Sequence, residues 1–209
     1  MLSLSEERIK RVIDVLAASF GLVVLCPLFA VVAAVVYVDS PGGIFYRGMR
    51  TGRGGRPFPI FKFRTMVSGA DRMGGGSTAK DDPRVTRIGR VLRKYKLDEL
   101  PQLLNVLRGE MSFVGPRPEL PQYTQQYKGD ESLILSIRPG ITDYASLELF
   151  QLNEVLGSVD ADRVYEEKVR PKKNALRVKY VKEQSLSGDL SILWRTVRRL
   201  CSPKSYAGR

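Results

Sequence analysis

Histidine is absent from the 209 residues, and its absence removes Ser-His-Asp and Cys-His catalysis together with every histidine-ligated metal centre. Acid, base and nucleophile must then come from Asp, Glu, Lys, Tyr or a hydroxyl. A hard, oxygen-liganded cation such as magnesium is the metal that suits those ligands. Cysteine is scarce: Cys26 lies inside an apolar segment and Cys201 near the C-terminus, an arrangement that argues against a bridge and for a reducing compartment. Acidic residues are outnumbered, 22 against 34 Lys and Arg, which gives a net charge of +12 and a pI near 9.9. Such a surplus suits nucleic acid, an anionic membrane surface or phosphate-bearing substrates. The sequence has no zinc-type Cys/His spacing, no RNP-like aromatic strand and no clear helix-turn-helix, so nucleic acid is set aside as a partner and a membrane explains the charge better.

What is present begins with an apolar run from Val12 to Val38, interrupted by Asp14 and a few small residues, and longer than the about 20 residues a spanning helix needs. Asp14 and the length of the run argue against a cleaved signal peptide. Pro27, preceded by Cys26, predicts a break near the middle, although proline-kinked helices that cross the bilayer are also common. Arg8, Lys10 and Arg11 precede the run, and Arg47, Arg50, Arg53, Arg56, Lys62 and Arg64 follow it. Basic flanks on both sides place both ends in the cytoplasm by the positive-inside rule. The chain then divides into a membrane-anchoring segment, 1–40, and one soluble domain, 41–209.

Ile44 to Arg50 and Pro57 to Met66 read as the strands of a β-hairpin joined by the turn-rich Thr51–Arg56. In the second strand Lys62 and Arg64 alternate with Phe61 and Phe63. Gly69 to Asp82 reads as a loop. Pro83 to Tyr95 carries arginines at helical spacing, of which Arg93 is nearest in sequence to Asp98. Helix is expected over Gln122 to Ile137 and Glu166 to Val181, with Pro171 marking a start and Arg138-Pro-Gly140 forming a turn. Leu190, Leu193, Trp194, Val197, Leu200 and Cys201 form one stripe of a basic amphipathic helix, suited either to packing on the core or to the lipid interface.

The central stretch is Lys94-Tyr-Lys-Leu-Asp98-Glu99-Leu-Pro-Gln-Leu-Leu-Asn-Val-Leu-Arg-Gly109. Leu97, Leu100, Leu104 and Leu107 recur at helical spacing, and Gly109 supplies a left-handed stop. Asp98 therefore falls at a helix start, where the bland reading makes it an N-cap and Glu99 a first-turn acid. Downstream, Pro116 and Pro118 bracket Arg117 and restrict the backbone around its guanidinium.

Lys62-Phe-Arg-Thr-Met66, Leu97-Asp-Glu-Leu-Pro-Gln-Leu-Leu-Asn-Val-Leu-Arg-Gly-Glu-Met-Ser-Phe-Val-Gly-Pro-Arg-Pro118 and Arg138-Pro-Gly-Ile-Thr142 resemble the bacterial monotopic phosphoglycosyl transferases. The resemblance runs from the apolar segment to about Thr142, with a partial return at Tyr180 to Leu193. It implies an α+β fold: a re-entrant helix-break-helix, a β-hairpin, and a mainly helical cytoplasmic catalytic domain with interfacial amphipathic helices. It also implies attack by Asp98 on a UDP-sugar, release of UMP, and transfer of the phosphosugar to a polyprenol phosphate such as undecaprenyl phosphate. That reaction is the first membrane step of a glycoconjugate or exopolysaccharide pathway at the bacterial inner membrane. Glu99, with Asp98, would hold Mg2+; Lys62, Arg93, Arg117 and Arg138 would bind phosphate; a homodimer is left open. Family members often read Thr-Gly-Trp where this chain has Thr142-Asp143-Tyr144, and they usually have Ser-Pro where it has Cys26-Pro27. The first departure and the unmatched Ser146 to Val164 are where sugar specificity would be set. Two rivals remain: a membrane-bound interaction protein in which Asp98 and Glu99 only cap a helix, and a one-step transferase in which Asp98 is only a metal ligand.

Overall fold

The computed structural model describes residues 2–73, 82–149 and 161–201. Helix α1, Leu4–Val24, opens on a capping box in which the Glu6 amide donates to the Ser3 hydroxyl (3.3 Å) and the Ser3 amide to the Glu6 carboxylate (2.9 Å). Helix α2, Cys26–Asp39, leaves it at an angle of 63°. The expected break is present, but its hinge is Leu25 (φ −87°, ψ 1°), and Pro27 already belongs to the first turn of α2. Proline fits there because a first-turn N–H has no intrahelical acceptor to lose. Among the described residues no single helix is long and apolar enough to cross a membrane, whereas the bent pair together meets that length and composition.

One side of this pair faces protein. Ala18, Leu22 and Leu25 pack with Phe58, Ile60, Leu103, Val106 and Met111, and Val32 and Val36 pack with Phe63 and Leu92. Ile9, Val12, Ile13, Leu16, Phe20, Val31, Val35 and Val38 are exposed. Asp14, the charge inside the apolar run, is buried and accepts the Phe113 amide at 3.2 Å. A buried carboxylate with a backbone donor is far less costly than an unpaired one.

Strands β1, Phe45–Thr51, and β2, Pro57–Phe63, form the expected antiparallel hairpin. Helix α3, Arg87–Lys94, follows behind an N-cap from Thr86. A 3-10 turn, Leu97–Glu99, leads to α4, Gln102–Arg108, which ends on Gly109 at φ 80° as its sequence predicts. Two features depart from the sequence reading. Strand β3, Ser112–Val114, pairs in parallel with β4, Gly140–Thr142, where only a turn was expected. The helix expected over Gln122 to Ile137 is instead α5, Pro121–Thr124, followed by a 3-10 segment, Gly129–Ser136. Lys128 is extended and Gly129 left-handed (φ 54°), so no α-helix can run through them.

The last elements are α6, Tyr144–Glu148, α7, Ala161–Val164, a π-turn at Tyr165–Val169, α8, Arg170–Glu183, and α9, Leu186–Cys201. Pro171 opens α8 as expected. Helix α9 turns Ile192 into a cluster with Val114, Ile137, Leu147, Tyr180 and Val181, with Leu193 packed against it. Leu190 (70% exposed), Trp194 (67%) and Val197 (53%) stay outside, so the apolar stripe is not spent on the core. Of the loop Gly69 to Asp82, residues 74–81 lie outside the described residues, as do 150–160 of the stretch Ser146 to Val164.

Candidate active site

Four elements bring the site together. Strand β2 supplies Lys62, α3 supplies Arg93, the turn after it supplies Asp98 and Glu99, and the loop leaving β3 supplies Arg117. Helix α3 lies tight against Thr65, because a Cβ on Gly89 would come 2.1 Å from the Thr65 carbonyl oxygen. That contact sets Arg93, whose Nε donates to the Thr65 hydroxyl at 2.8 Å. Beyond α3 the chain reverses at Lys96, a left-handed residue (φ 58°, ψ 20°) that is the one non-glycine with positive φ among the described residues. Such a conformation costs a lysine about 1–2 kcal/mol. Its effect is to start the 3-10 turn that carries Asp98 and Glu99.

Asp98 is therefore not the N-cap its sequence position suggests. Pro101 occupies the N-cap of α4, no side chain caps that end, and Leu97 packs instead with the α2–α3 cluster. The aspartate is 6% exposed, and its Oδ1 has no hydrogen-bond partner. A buried polar atom left unpaired costs about 1–3 kcal/mol, so local folding preference does not account for it. Burial pushes the Asp98 carboxyl above the usual carboxylate range, against the pull of Lys62 and with the Glu99 charge adding to the rise.

Glu99 is placed in the opposite way. Its Oε1 accepts Lys62 Nζ at 3.0 Å and also Arg117 Nη2. Burial acts to raise its pKa, but Arg117, Lys62 and Lys96 outweigh burial and hold the carboxyl well below the usual range. Two adjacent carboxylates are thus driven apart by their surroundings, the pattern that assigns different tasks to like groups. Arg117 is held at three points: Nη1 donates to the Ile141 carbonyl at 3.0 Å, Nη2 to Glu99, and the backbone N–H to Asp143 Oδ2 at 3.1 Å. Burial lowers the pKa of Lys62 and of Arg93; Glu99 opposes this at Lys62, and Asp98 is the first charge opposing it at Arg93.

Of the six residues singled out in sequence, the structure gathers Lys62, Arg93, Asp98, Glu99 and Arg117. It does not bring Arg138 to them. The Arg138 Nε donates to the Gly109 carbonyl at 3.1 Å, and its charged neighbours are Arg11, Arg53, Glu7 and Asp14. Arg11 donates to the Val106 (2.5 Å) and Leu107 (2.9 Å) carbonyls, so these two arginines together satisfy the C-terminal end of α4. The Arg47 and Arg108 guanidiniums stack on Phe61, on the strand next to Lys62. Among the described residues no group of three or more His, Cys, Asp or Glu converges in a way that would hold a metal ion by itself.

Sequence reasoning missed a buried cluster behind Arg117. Arg177 on α8 is fully buried and pairs with Glu119 (2.8 Å) and Asp143 (3.6 Å). Lys173 (3.1 Å) and the Tyr165 hydroxyl (2.7 Å) also reach Glu119, whose pKa falls to about 2 because Arg177 and Lys173 outweigh its burial. The signal in the sequence was Asp143 itself, a charge where the family resemblance leads one to expect glycine. That residue is fully buried, with its side chain turned to Arg177, the Arg117 amide and the Ser146 amide.

A family model described as bacterial sugar transferase matches residues 5–203. The exopolysaccharide production protein ExoY of Sinorhizobium fredii is 39% identical over 207 residues, covering 92% of this chain and 85% of that protein. The UDP-glucose:undecaprenyl-phosphate glucose-1-phosphate transferase of Caulobacter vibrioides is 37% identical over 202 residues, covering 91% of this chain and 69% of that one. The Escherichia coli protein of the same name is 36% identical over 193 residues, covering 90% of this chain and 39% of its own length. With nearly its whole length matched by the family model and by these relatives, the chain belongs to the bacterial sugar transferase family and is a phosphoglycosyl transferase.

Proposed function

We propose that this enzyme transfers a sugar phosphate from a UDP-sugar to a polyprenol phosphate through a covalent intermediate on Asp98. The substrate classes are taken from the relatives, two of which are named as acting on UDP-glucose and undecaprenyl phosphate. The observation that carries the covalent step is the buried, unpartnered Asp98 oxygen. In the first half-reaction that oxygen attacks the sugar-bearing phosphorus, the bond between this phosphorus and the bridging oxygen breaks, and UMP leaves with the electron pair. In the second, an oxygen of the polyprenol phosphate attacks the same phosphorus. The acyl phosphate bond then breaks, Asp98 is restored, and the product is a polyprenyl-diphosphate-sugar.

Lys62, Arg93 and Arg117 supply positive charge where the phosphate oxygens develop negative charge. Glu99 pairs with Lys62 and Arg117 and would be free to face a metal once phosphate oxygens compete for those cations. Magnesium characteristically takes one or two carboxylates and completes its shell with substrate phosphates and water; Glu99 and Asp98 fit that donor set without a third protein ligand. When bound, the ion would neutralise charge on the diphosphate and its leaving group.

The same reading places the enzyme at the cytoplasmic face of the bacterial inner membrane, with 1–40 as a re-entrant anchor and 41–209 as the catalytic domain. Support comes from the 63° bend, the exposed apolar residues of α1 and α2, and the outer stripe of α9, where Trp194 lies beside exposed Arg195 and Arg198. A lipid-anchored acceptor and a soluble donor then meet at the headgroup level. The test is a single-turnover experiment with magnesium and a panel of UDP-sugars but no polyprenol phosphate. A UMP burst that scales with enzyme concentration supports the two-step route; UMP formed only when acceptor is present supports direct transfer.

A further inference from the structure

We propose that the buried Asp143–Arg177 pair is a positioning device for Arg117, a role that rests on the reading of Arg117 as part of the active site. Asp143 follows the last residue of β4 and is fully buried. Its two oxygens have separate tasks: Oδ1 accepts the Ser146 amide at 2.6 Å and caps α6, while Oδ2 accepts the Arg117 amide at 3.1 Å. Arg177 Nε lies 3.6 Å from that same Oδ2, and Nη1 lies 2.8 Å from Glu119 Oε1. One fully buried guanidinium is thus paired at short range with Glu119 and lies within ion-pair distance, without a hydrogen bond, of the Asp143 oxygen that holds residue 117.

The loop has few alternatives to this hold. Pro116 and Pro118 have no amide to donate, so residue 117 carries the one backbone donor between them, and Asp143 takes it. The Glu119 carbonyl accepts the Thr51 amide at 3.0 Å, which fixes the far end against β1. Charge balances inside the cluster, with Arg177 and Lys173 against Asp143 and Glu119. A glycine at 143 would leave the Arg117 amide without its acceptor and remove the negative charge facing Arg177 Nε. In this chain the aspartate and the arginine therefore form one unit. The unit acts on chemistry through the Arg117 guanidinium, which reaches Glu99 from the loop so fixed.

The experiment is a double-mutant cycle on the full-length protein in detergent or nanodisc. Asp143→Asn keeps an acceptor oxygen and removes the charge facing Arg177, and Asp143→Ala removes both functions. Arg177→Gln is the partner change, and each is combined with Arg117→Lys. The expected result is a fall in kcat of about tenfold to a hundredfold for Asp143→Ala, with KM for the UDP-sugar changed less. Asp143→Asn should retain more activity than Asp143→Ala. In the Arg117→Lys background the same substitutions should lose much less, because the group they position is already compromised. Equal losses in both backgrounds, or wild-type kcat in Asp143→Ala, overturn the proposal. If Arg117→Lys alone keeps wild-type turnover, the placement of Arg117 in the site fails, and that outcome is distinct from additive losses around a functioning Arg117. Should Asp143→Ala fail to fold, Asp143→Asn carries the same comparison.

Discussion

At the scale of single residues, Asp98 and Glu99 should respond to neutralisation in opposite senses. Asp98 has a folded-state pKa above its unfolded value of about 3.9, so the folded protein binds the extra proton and loses stability as pH rises through that interval. Asp98→Asn should therefore be equally or more stable than wild type at pH 7, by up to about 1 kcal/mol, while turnover stops. Glu99 has its pKa depressed, so it contributes stability that is present above the unfolded value of about 4.3 and is lost as pH falls through the folded one. Glu99→Gln strands Lys62 and Arg117 and should cost about 2 kcal/mol, between exposed and fully buried pairs. Thermal melts of the two variants side by side decide the matter; a destabilised Asp98→Asn would mean that the carboxylate's attraction to Lys62 and Arg93 outweighs the cost of burial. Catalysis gives a second check. The acid limb of the burst rate should lie above the ordinary aspartate range, and an acid limb at or below that range would contradict the environment described for Asp98. Arg117→Lys should lower activity at least about tenfold without unfolding the protein, since an ammonium cannot serve Ile141 and Glu99 with a planar fork.

Among the elements, the bent helix pair packs behind β2 and α3, and the two short parallel strands lead into the Arg117 loop. Pro27→Leu should extend α1 into α2, because leucine restores the backbone donor and removes the ring. A straightened helix would pull Val32 and Val36 off Phe63 and Leu92, in the cluster that also holds Leu97 beside Asp98, so activity should fall. Gly140→Ala should be more harmful still: its Cβ would lie 2.1 Å from the Gly115 amide nitrogen, forcing β3 and β4 apart just before Arg117. Soluble expression and a normal melt for Gly140→Ala would show that this crossing can relax. The hairpin, the Gly109 stop and the proline break were legible in sequence, because each depends on a local preference with few competitors. Strands β3 and β4 were not, since three residues are too few to display a period. The 3-10 turn at Asp98 was hidden for a different reason: it depends on Lys96 adopting a left-handed conformation, which lysine rarely does and no pattern announces.

For the molecule as a whole, most of the site could be read from the sequence as residue identities and none of it as partnership. Lys62, Arg93 and Arg117 were singled out as cations near two acids, but that Lys62 and Arg117 share one oxygen of Glu99, leaving Asp98 apart, is a fact of tertiary packing. Arg138 shows the converse, a motif arginine that serves a helix end instead of the site. Arg177 looked like any cation on a basic helix until its burial was known. If the bent pair is re-entrant, reporters at both ends should lie on the cytoplasmic face, and opposite faces would contradict that arrangement. The covalent role of Asp98 is the central claim, and trapping tests it most directly. Enzyme, magnesium and UDP-sugar are mixed without polyprenol phosphate, quenched in acid to slow acyl-phosphate hydrolysis, digested, and examined by mass spectrometry. The peptide carrying Asp98 should gain the mass of one sugar phosphate in wild type and none in Asp98→Asn; an adduct on another residue, or an Asp98→Asn enzyme that still turns over, would contradict the account.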